Sequence, residues 1–436
     1  MRKTDQEILQ IALPSIVSNI TVPLLGLVDV TLAGHLGAPA YIGAIAVGST
    51  LFNLIYWIFA FLRMGTSGMT AQAWGRRDLP EVTRLLLRSI TVGGAVALCF
   101  LVLQVPLRQL AFLFIHTTPE VQALATRYFH ICIWGAPAVL GLYGLTGWYV
   151  GVQNSRIPMW IAIVQNQVNI GVSLALVCGA GMKIEGVALG TLIAQYAGAG
   201  MGLWLWVRGY GRLAASERRR QLKPSLLFEG QAMKRFFSVN RDIFLRTLCL
   251  VSVTLFFTAA SAERGEVVMA VNALMLQLFT LYSYVMDGFA FAGEALSGRY
   301  IGAARPEAFH RTVRHLFGWG IAMCLLYTLL YVLGGSAFLS LLTDDQEVIA
   351  AAADYFPWAC LIPLAGLATF VWDGIFIGAT ATRGMLAAMA GGAVTFFLLY
   401  YSLRAAWGNH ALWISFLSYL LTRGVIQTFW SRRIMR

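Results

Sequence analysis

A chain of 436 residues that is 58% hydrophobic and only 12% charged, with a mean hydropathy of +0.69, has too little polar surface to cover a soluble core. Apolar stretches long enough to cross a bilayer recur from end to end, which excludes a soluble globule. The net charge of +12 could suggest nucleic acid, but the basic residues sit in alternate short loops, so no nucleic-acid partner is expected.

Hydropathy predicts helices over 7–34, 41–74, 85–115, 121–150, 157–180 and 185–207, then over 238–262, 267–300, 309–342, 348–378, 385–404 and 410–430. Arg2 and Lys3 precede the first stretch, which is too long for a cleavable signal. The expected domains are an N-lobe (1–208), a basic cytoplasmic linker (209–237) and a C-lobe (238–436). Loops on one side carry Arg76, Arg77, Arg84 and Arg88, then Arg156, then Arg212, Arg218, Arg219, Arg220 and Lys223. Arg299, Arg305, Arg311, Arg314, Arg383 and the tail Arg432, Arg433 and Arg436 follow on that side. The opposite loops hold little beyond Lys183, Arg264 and Arg404, with acidic Asp344, Asp345 and Glu347. This places both termini in the cytoplasm, with the linker touching anionic lipid, and the membrane is expected to be an inner (cytoplasmic) one. All six cysteines lie inside apolar segments without CxxC spacing and read as small packers.

The two halves repeat at a spacing of about 227 residues. Glu120 matches Glu347, Tyr128-Phe129 matches Tyr355-Phe356, and Leu51-Phe52 falls on Leu278-Phe279. Gly75, Gly147 and Gly151 match Gly302, Gly374 and Gly378, and Arg156 matches Arg383. Six helices per repeat is an even number, so both halves enter the membrane in the same direction. The expectation is an all-α integral membrane fold of twelve transmembrane helices, in two six-helix lobes related by a pseudo-two-fold along the membrane normal. That is transporter architecture.

Charged side chains in hydrocarbon are costly and so mark function. Asp29 lies deep in the first helix, where desolvation disfavours the charged carboxylate and suits it to load and release a proton. Pro23, six residues earlier, supplies no N–H and clashes with the Asn19 carbonyl, so the helix can hinge there. The fifth helix offers Gln165, Asn166, Asn169 and Ser173, and the sixth offers Thr191 and Gln195, as cavity or interhelical hydrogen-bonding groups. In the second half Asp287 and Asp373 are each followed by glycine, and Glu294 lies two turns beyond Asp287. Arg63 falls in register with Ala290, one turn from Asp287, so a gate pair across the lobes and a pair within one lobe are both open. Asp242 and Arg246 read as an interfacial i,i+4 pair. The abundant aromatic residues belong to lipid-facing surface and interfacial belts.

None of the four lysines follows a glycine, so no Walker A loop is present and ion gradients must drive transport. The histidines lack ligand spacing, and no metal or other cofactor is expected. An intramembrane enzyme would rest on the outer-loop doublet Asp344-Asp345 alone, so no enzyme is expected. A lipid flippase of the same architecture is a closer rival.

The run Ile-Thr-Val-Pro-Leu-Leu-Gly-Leu-Val-Asp ending at Asp29 resembles the MATE (multidrug and toxic compound extrusion) family, specifically its DinF branch. So do Phe-Leu-Arg-Met-Gly-Thr-Ser-Gly-Met-Thr-Ala-Gln-Ala (61–73), Asn240-Arg-Asp-Ile and Asp287-Gly-Phe-Ala. Asp373-Gly-Ile-Phe-Ile-Gly-Ala-Thr and Gly408-Asn-His-Ala-Leu-Trp extend the resemblance over the whole chain. The resemblance implies an exporter of small cationic or amphipathic compounds in exchange for H⁺, or Na⁺ in other branches, and the chain is expected to act as a monomer. It implies Asp29 as the proton site, bending at Pro23, and a cavity using Asn169 and Thr191. Family members often carry an Asp one turn after that Asn. Here Ser173 stands there, which weakens a two-carboxylate Na⁺ site.

Overall fold

Apolar sequence away from water satisfies its backbone within a single segment by forming helix, and among the described residues every regular element is helical. The structure is a computed structural model and describes residues 3–34, 38–114, 117–215 and 228–435. The linker arginines Arg218, Arg219 and Arg220, Lys223, and the terminal Arg2 and Arg436, lie outside the described residues. Ten helices in the described part are long and apolar enough to cross a membrane.

The first half comprises α1 (Lys3–Gly34), α2 (Pro39–Phe59), α3 (Phe61–Gly75), α4 (Leu79–Val102), α5 (Gln104–Phe114), α6 (Pro119–Cys132), α7 (Ala136–Gly151), α8 (Arg156–Leu174) and α9 (Ile184–Ala215). The second comprises α10 (Gly230–Ala262), α11 (Glu266–Gly302), α12 (Pro306–Leu342), α13 (Gln346–Ala352), α14 (Phe356–Gly378) and α15 (Thr382–Ser431). The chain forms two compact units, one of Leu13–Phe237 and one of Met1–Ala12 with Ser238–Arg436. The opening turns of α1 thus belong with the second unit. There Asp5 Oδ1 lies 2.7 Å from His315 Nδ1, and Tyr300 donates to Glu7 at 2.6 Å.

Several predicted helices are broken for local reasons. The segment predicted over 85–115 divides at Leu103 (φ −94°, ψ 15°), because the Pro106 ring cannot pass the carbonyl four residues earlier. The segment over 121–150 is interrupted by a 3₁₀ turn at Ile133–Gly135 before Pro137. The segment over 348–378 restarts at Phe356 with Pro357 in its first turn. Conversely, 385–404 and 410–430 form one element, α15, folded at Gly408 (φ 53°, ψ −128°). Asn272 and Asn409 exchange side-chain hydrogen bonds of 2.8 and 2.9 Å beside that fold, and Trp413 donates to Asn272 at 2.8 Å.

The internal repeat is visible in the backbone. Among the described residues four non-glycine residues have positive φ, namely Arg77, Gln153, Ala304 and Thr380. They form two pairs at the repeat spacing, and each closes a helix with the same cap, in which the next N–H bonds a carbonyl five residues back. Gly181 and Gly408, also left-handed, make a third pair. Helix contacts repeat as well: a Cβ on Gly147 would overlap the Arg63 carbonyl, and one on Gly374 the carbonyl of Ala290. Each pair of helices therefore packs backbone against backbone.

That closeness gives a stability test. Gly147→Ala and Gly374→Ala are each expected to cost about 1–3 kcal/mol by overpacking against a carbonyl that cannot swing away. Gly171→Ala, at a helical position with open space, should be neutral or stabilising by up to about 1 kcal/mol. Thermal unfolding in detergent compares the three, and equal melting temperatures would contradict the packing described.

Candidate functional site

In the unit Leu13–Phe237 the hairpin of α8 and α9 is drawn together by small residues. Gly190 packs on Ser173, Gly198 on Gln165 and Gly202 on Ile161 and Leu145. The approach brings Asn169 of α8 and Thr191 of α9 side by side, both buried, against Asp29 of α1, which is 3% exposed. The Asn169 amide takes the orientation that satisfies both of its ends. Its Nδ2 donates to Asp29 Oδ1 at 3.2 Å, while its Oδ1 lies 3.0 Å from Thr191 Oγ1 and 3.3 Å from the Thr191 N–H. Thr191 Oγ1 reaches Asp29 Oδ2 at 3.2 Å and its own helix's Val187 carbonyl at 3.2 Å. Asp29 is thus held by one amide and one hydroxyl. The hydroxyl has a single proton and three acceptors in range, so its direction depends on the state of the carboxylate.

α1 remains helical through both Pro14 and Pro23. The Pro23 side chain is exposed. Two residues before it, the Thr21 carbonyl accepts a 2.7 Å hydrogen bond from Asn166 Nδ2. A side chain of α8 therefore serves α1 backbone close to where proline removes an N–H. Ser173 is buried against Gly190, and among the described residues its hydroxyl has no hydrogen-bond partner. Gln195, half-buried one turn beyond Thr191, turns its carbonyl oxygen onto Gly135. Neither is brought to the Asp29 carboxylate by a hydrogen bond. Arg63, half-buried in α3, lies within electrostatic reach of Tyr143.

The second unit treats its acids differently. Asp373 of α14 accepts from Arg246 Nη2 at 2.5 Å, Arg423 Nη2 at 2.8 Å and Gln427 Nε2 at 2.6 Å. Arg423 also donates to Tyr419 at 3.1 Å, which donates in turn to Met389 sulfur at 2.9 Å. Asp287, half-buried in α11, is within electrostatic reach of Arg246. Arg246, expected to pair with Asp242 one turn away, is committed to Asp373 because its long side chain projects into the bundle. Asp242 is met by Arg241 at 2.9 Å and by the Thr382 hydroxyl at 2.9 Å. Glu294 is 1% exposed and lies where its carbonyl meets Gly378. Among the described residues no three His, Cys, Asp or Glu side chains converge as a metal site would require.

Two features were missed from sequence. Arg423 and Gln427 sit one turn apart on a predicted membrane helix, and the cost of a buried charge was signal enough to single out Arg423. The Asn166 contact to a backbone carbonyl carried no such signal, since an amide in a helix looks the same whatever it bonds.

The MatE family profile matches residues 14–175 and 243–401. The Escherichia coli DNA damage-inducible protein F is 36% identical over 434 residues, covering 99% of this chain and 93% of that protein. A probable multidrug resistance protein NorM of Rhizobium meliloti is 24% identical over 98% of this chain and 93% of its own length. Among solved structures, one described as the outward-facing conformation of a multidrug resistance MATE family transporter of the MOP superfamily superposes with a TM-score of 0.87. It shares 16% identity and covers 99% of this chain and 96% of that one. The bent form of the Vibrio cholerae MATE transporter VcmN gives 0.84 at 17% identity over 99% and 97% of the two chains.

The arginine-held Asp373 yields a prediction. Asp373→Asn leaves two buried guanidinium groups without their carboxylate and should cost about 3–5 kcal/mol. Adding Arg246→Met should recover part of that loss, measured as thermal stability in detergent. Additive losses in the double variant would contradict the coupling.

Proposed function

The chain belongs to the MATE family of multidrug and toxic compound extrusion transporters, which are not enzymes, and from that premise we propose that it exports cationic or amphipathic compounds by H⁺ antiport, with Asp29 as the proton site. Its multi-pass membrane topology is proposed in finer detail as twelve crossings in two six-helix lobes related by a pseudo-two-fold along the membrane normal. Supporting that count, α1 is 32 residues long and α15 contributes two arms across its fold at Gly408, while the paired caps support the repeat. The chain resides in a bacterial inner membrane with both termini cytoplasmic.

The observation that carries the reading is the Asp29–Asn169–Thr191 contact, in which a buried carboxylate is held by uncharged donors. An ionised Asp29 accepts from both. Once protonated, it becomes a donor itself, and the Thr191 hydroxyl turns to Val187 or Asn169 without being stranded. Charge-assisted hydrogen bonds contribute about 1.5–3 kcal/mol and neutral ones about 0.5–1.5. Neutralising Asp29 therefore weakens the hold of α8 and α9 on the C-terminal part of α1 by roughly 2 kcal/mol in all. Asn166 keeps its grip on the Thr21 carbonyl, and Pro23 lies between the two attachments. The bend falls there. One charge crossing about 150 mV supplies roughly 3.5 kcal/mol, enough to drive a bias of that size in each cycle.

Alternating access follows. Protonation from outside loosens α1 and collapses the substrate's site, and release of the proton inside restores an anionic site for a lipophilic cation. The hydrogen-bond partners of Asp29 include no second carboxylate among the described residues, which favours H⁺ over Na⁺.

Asp29→Asn is expected to abolish substrate-driven proton release from energised vesicles; wild-type coupling in that variant would falsify the proton role. Thr191→Val should reduce coupling about tenfold while Thr191→Ser preserves it, the measure being initial rates in proteoliposomes with and without Na⁺. Scrambling of labelled lipid without cation transport would instead favour a flippase.

A further inference from the structure

A groove of about 740 Å³ lies between α5 and the start of α6, well within the first unit and remote in sequence from Asp29. Its lining among the described residues includes Arg108, Gln109, Phe112, Gln122, Thr126 and Arg127, with two guanidinium groups and no carboxylate. α4 is long enough to cross the membrane, so this groove sits at the opposite surface from the basic turn at Arg76 and Arg77.

Two further observations say what fits there. Arg108 donates to His130 Nε2 at 3.0 Å, and His130 Nδ1 lies 3.4 Å from Gln104 Oε1. An imidazole carries no negative charge, so the arginine is positioned without being neutralised. Arg127 has Glu185 at 3.4 Å, an ion pair with both side chains well exposed that a stronger anion can displace. Beside the groove, the surface is apolar where α4 ends and α5 turns. Leu98 and Val102 of α4 and Leu113 of α5 are 62%, 72% and 70% exposed, apolar surface that acyl chains would cover.

We propose that this groove binds the phosphate headgroup of an anionic phospholipid whose acyl chains lie along the exposed face of α4 and α5. Arg108 and Arg127 take the phosphate oxygens, and Gln109, Gln122 and Thr126 offer hydrogen bonds to a glycerol headgroup. A soluble anion would satisfy the arginines but leave the adjoining apolar face without a role. A zwitterionic lipid would bring a choline or ammonium beside the two guanidinium groups, in a lining whose described residues include no carboxylate. The size suits a headgroup, since small-molecule sites run from about 300 to 1,000 Å³.

The test uses the full chain purified in phosphatidylcholine nanodiscs and titrated with short-chain phosphatidylglycerol, with bound lipid counted by native mass spectrometry. Wild type should retain one phosphatidylglycerol. The Arg108→Gln/Arg127→Gln variant should bind it about thirtyfold more weakly, some fivefold for each guanidinium. Arg108→Lys/Arg127→Lys should keep most of the affinity. Undiminished retention by the glutamine variant overturns the proposal. So does equal retention of short-chain phosphatidylcholine, or inorganic phosphate competing at the same concentration as the lipid. Should the glutamine variant not fold, the wild-type affinity must still fall as salt rises, and salt-independent binding overturns the assignment.

Discussion

A carboxylate inside an apolar helix bundle must be held by donors, and the kind of donor decides what it can do. Asp373 is held by two guanidinium groups and an amide, so protonating it would strand two buried positive charges. Asp29 is held by an amide and a hydroxyl, so its neutral form strands nothing. The first arrangement suits a strut and the second the proposed switch. The proposed division of labour between the two units rests on that chemical difference.

The difference is set on a common frame. Both units use the same helix caps, the same glycine contacts and the same left-handed residues at matching positions. Four caps place a non-glycine side chain in the left-handed region at roughly 1–2 kcal/mol each, so the geometry is maintained despite local preference. Onto this frame each unit adds its own polar groups. Where the first unit has Ser67 against Gly151, the second has Glu294 against Gly378.

Around Asp29, distance and chain direction matter as much as chemistry. The α8–α9 hairpin closes tightly only because Gly190, Gly198 and Gly202 admit the neighbouring side chains. With bulkier residues there, Asn169 and Thr191 would stand apart and could not share one carboxylate. Asn166, one turn from Asn169, reaches back to α1 ahead of Pro23. Two amides of one helix thus attach to α1 on either side of its proline, and that geometry gives the proposed bend its location.

What the sequence determined follows from composition and spacing. Bilayer-length apolar runs require helices, because no other single segment satisfies its own backbone in hydrocarbon. The repeat and the position of Asp29 in α1 were legible, since matched spacing and the cost of a buried charge both leave a mark. The companionship of Asn169 and Thr191 came only from the resemblance to the MATE family. Other features waited for the tertiary structure. An arginine side chain spans several ångströms, so Arg246 could have met Asp242 or Asp373, and packing chose Asp373. Pro106 could have kinked a single helix, yet the chain ended α4 and began α5, leaving a basic groove that no loop count foretold. Sequence spacing fixes which residues share a helix face; which face meets which neighbour depends on the summed packing of every helix at once.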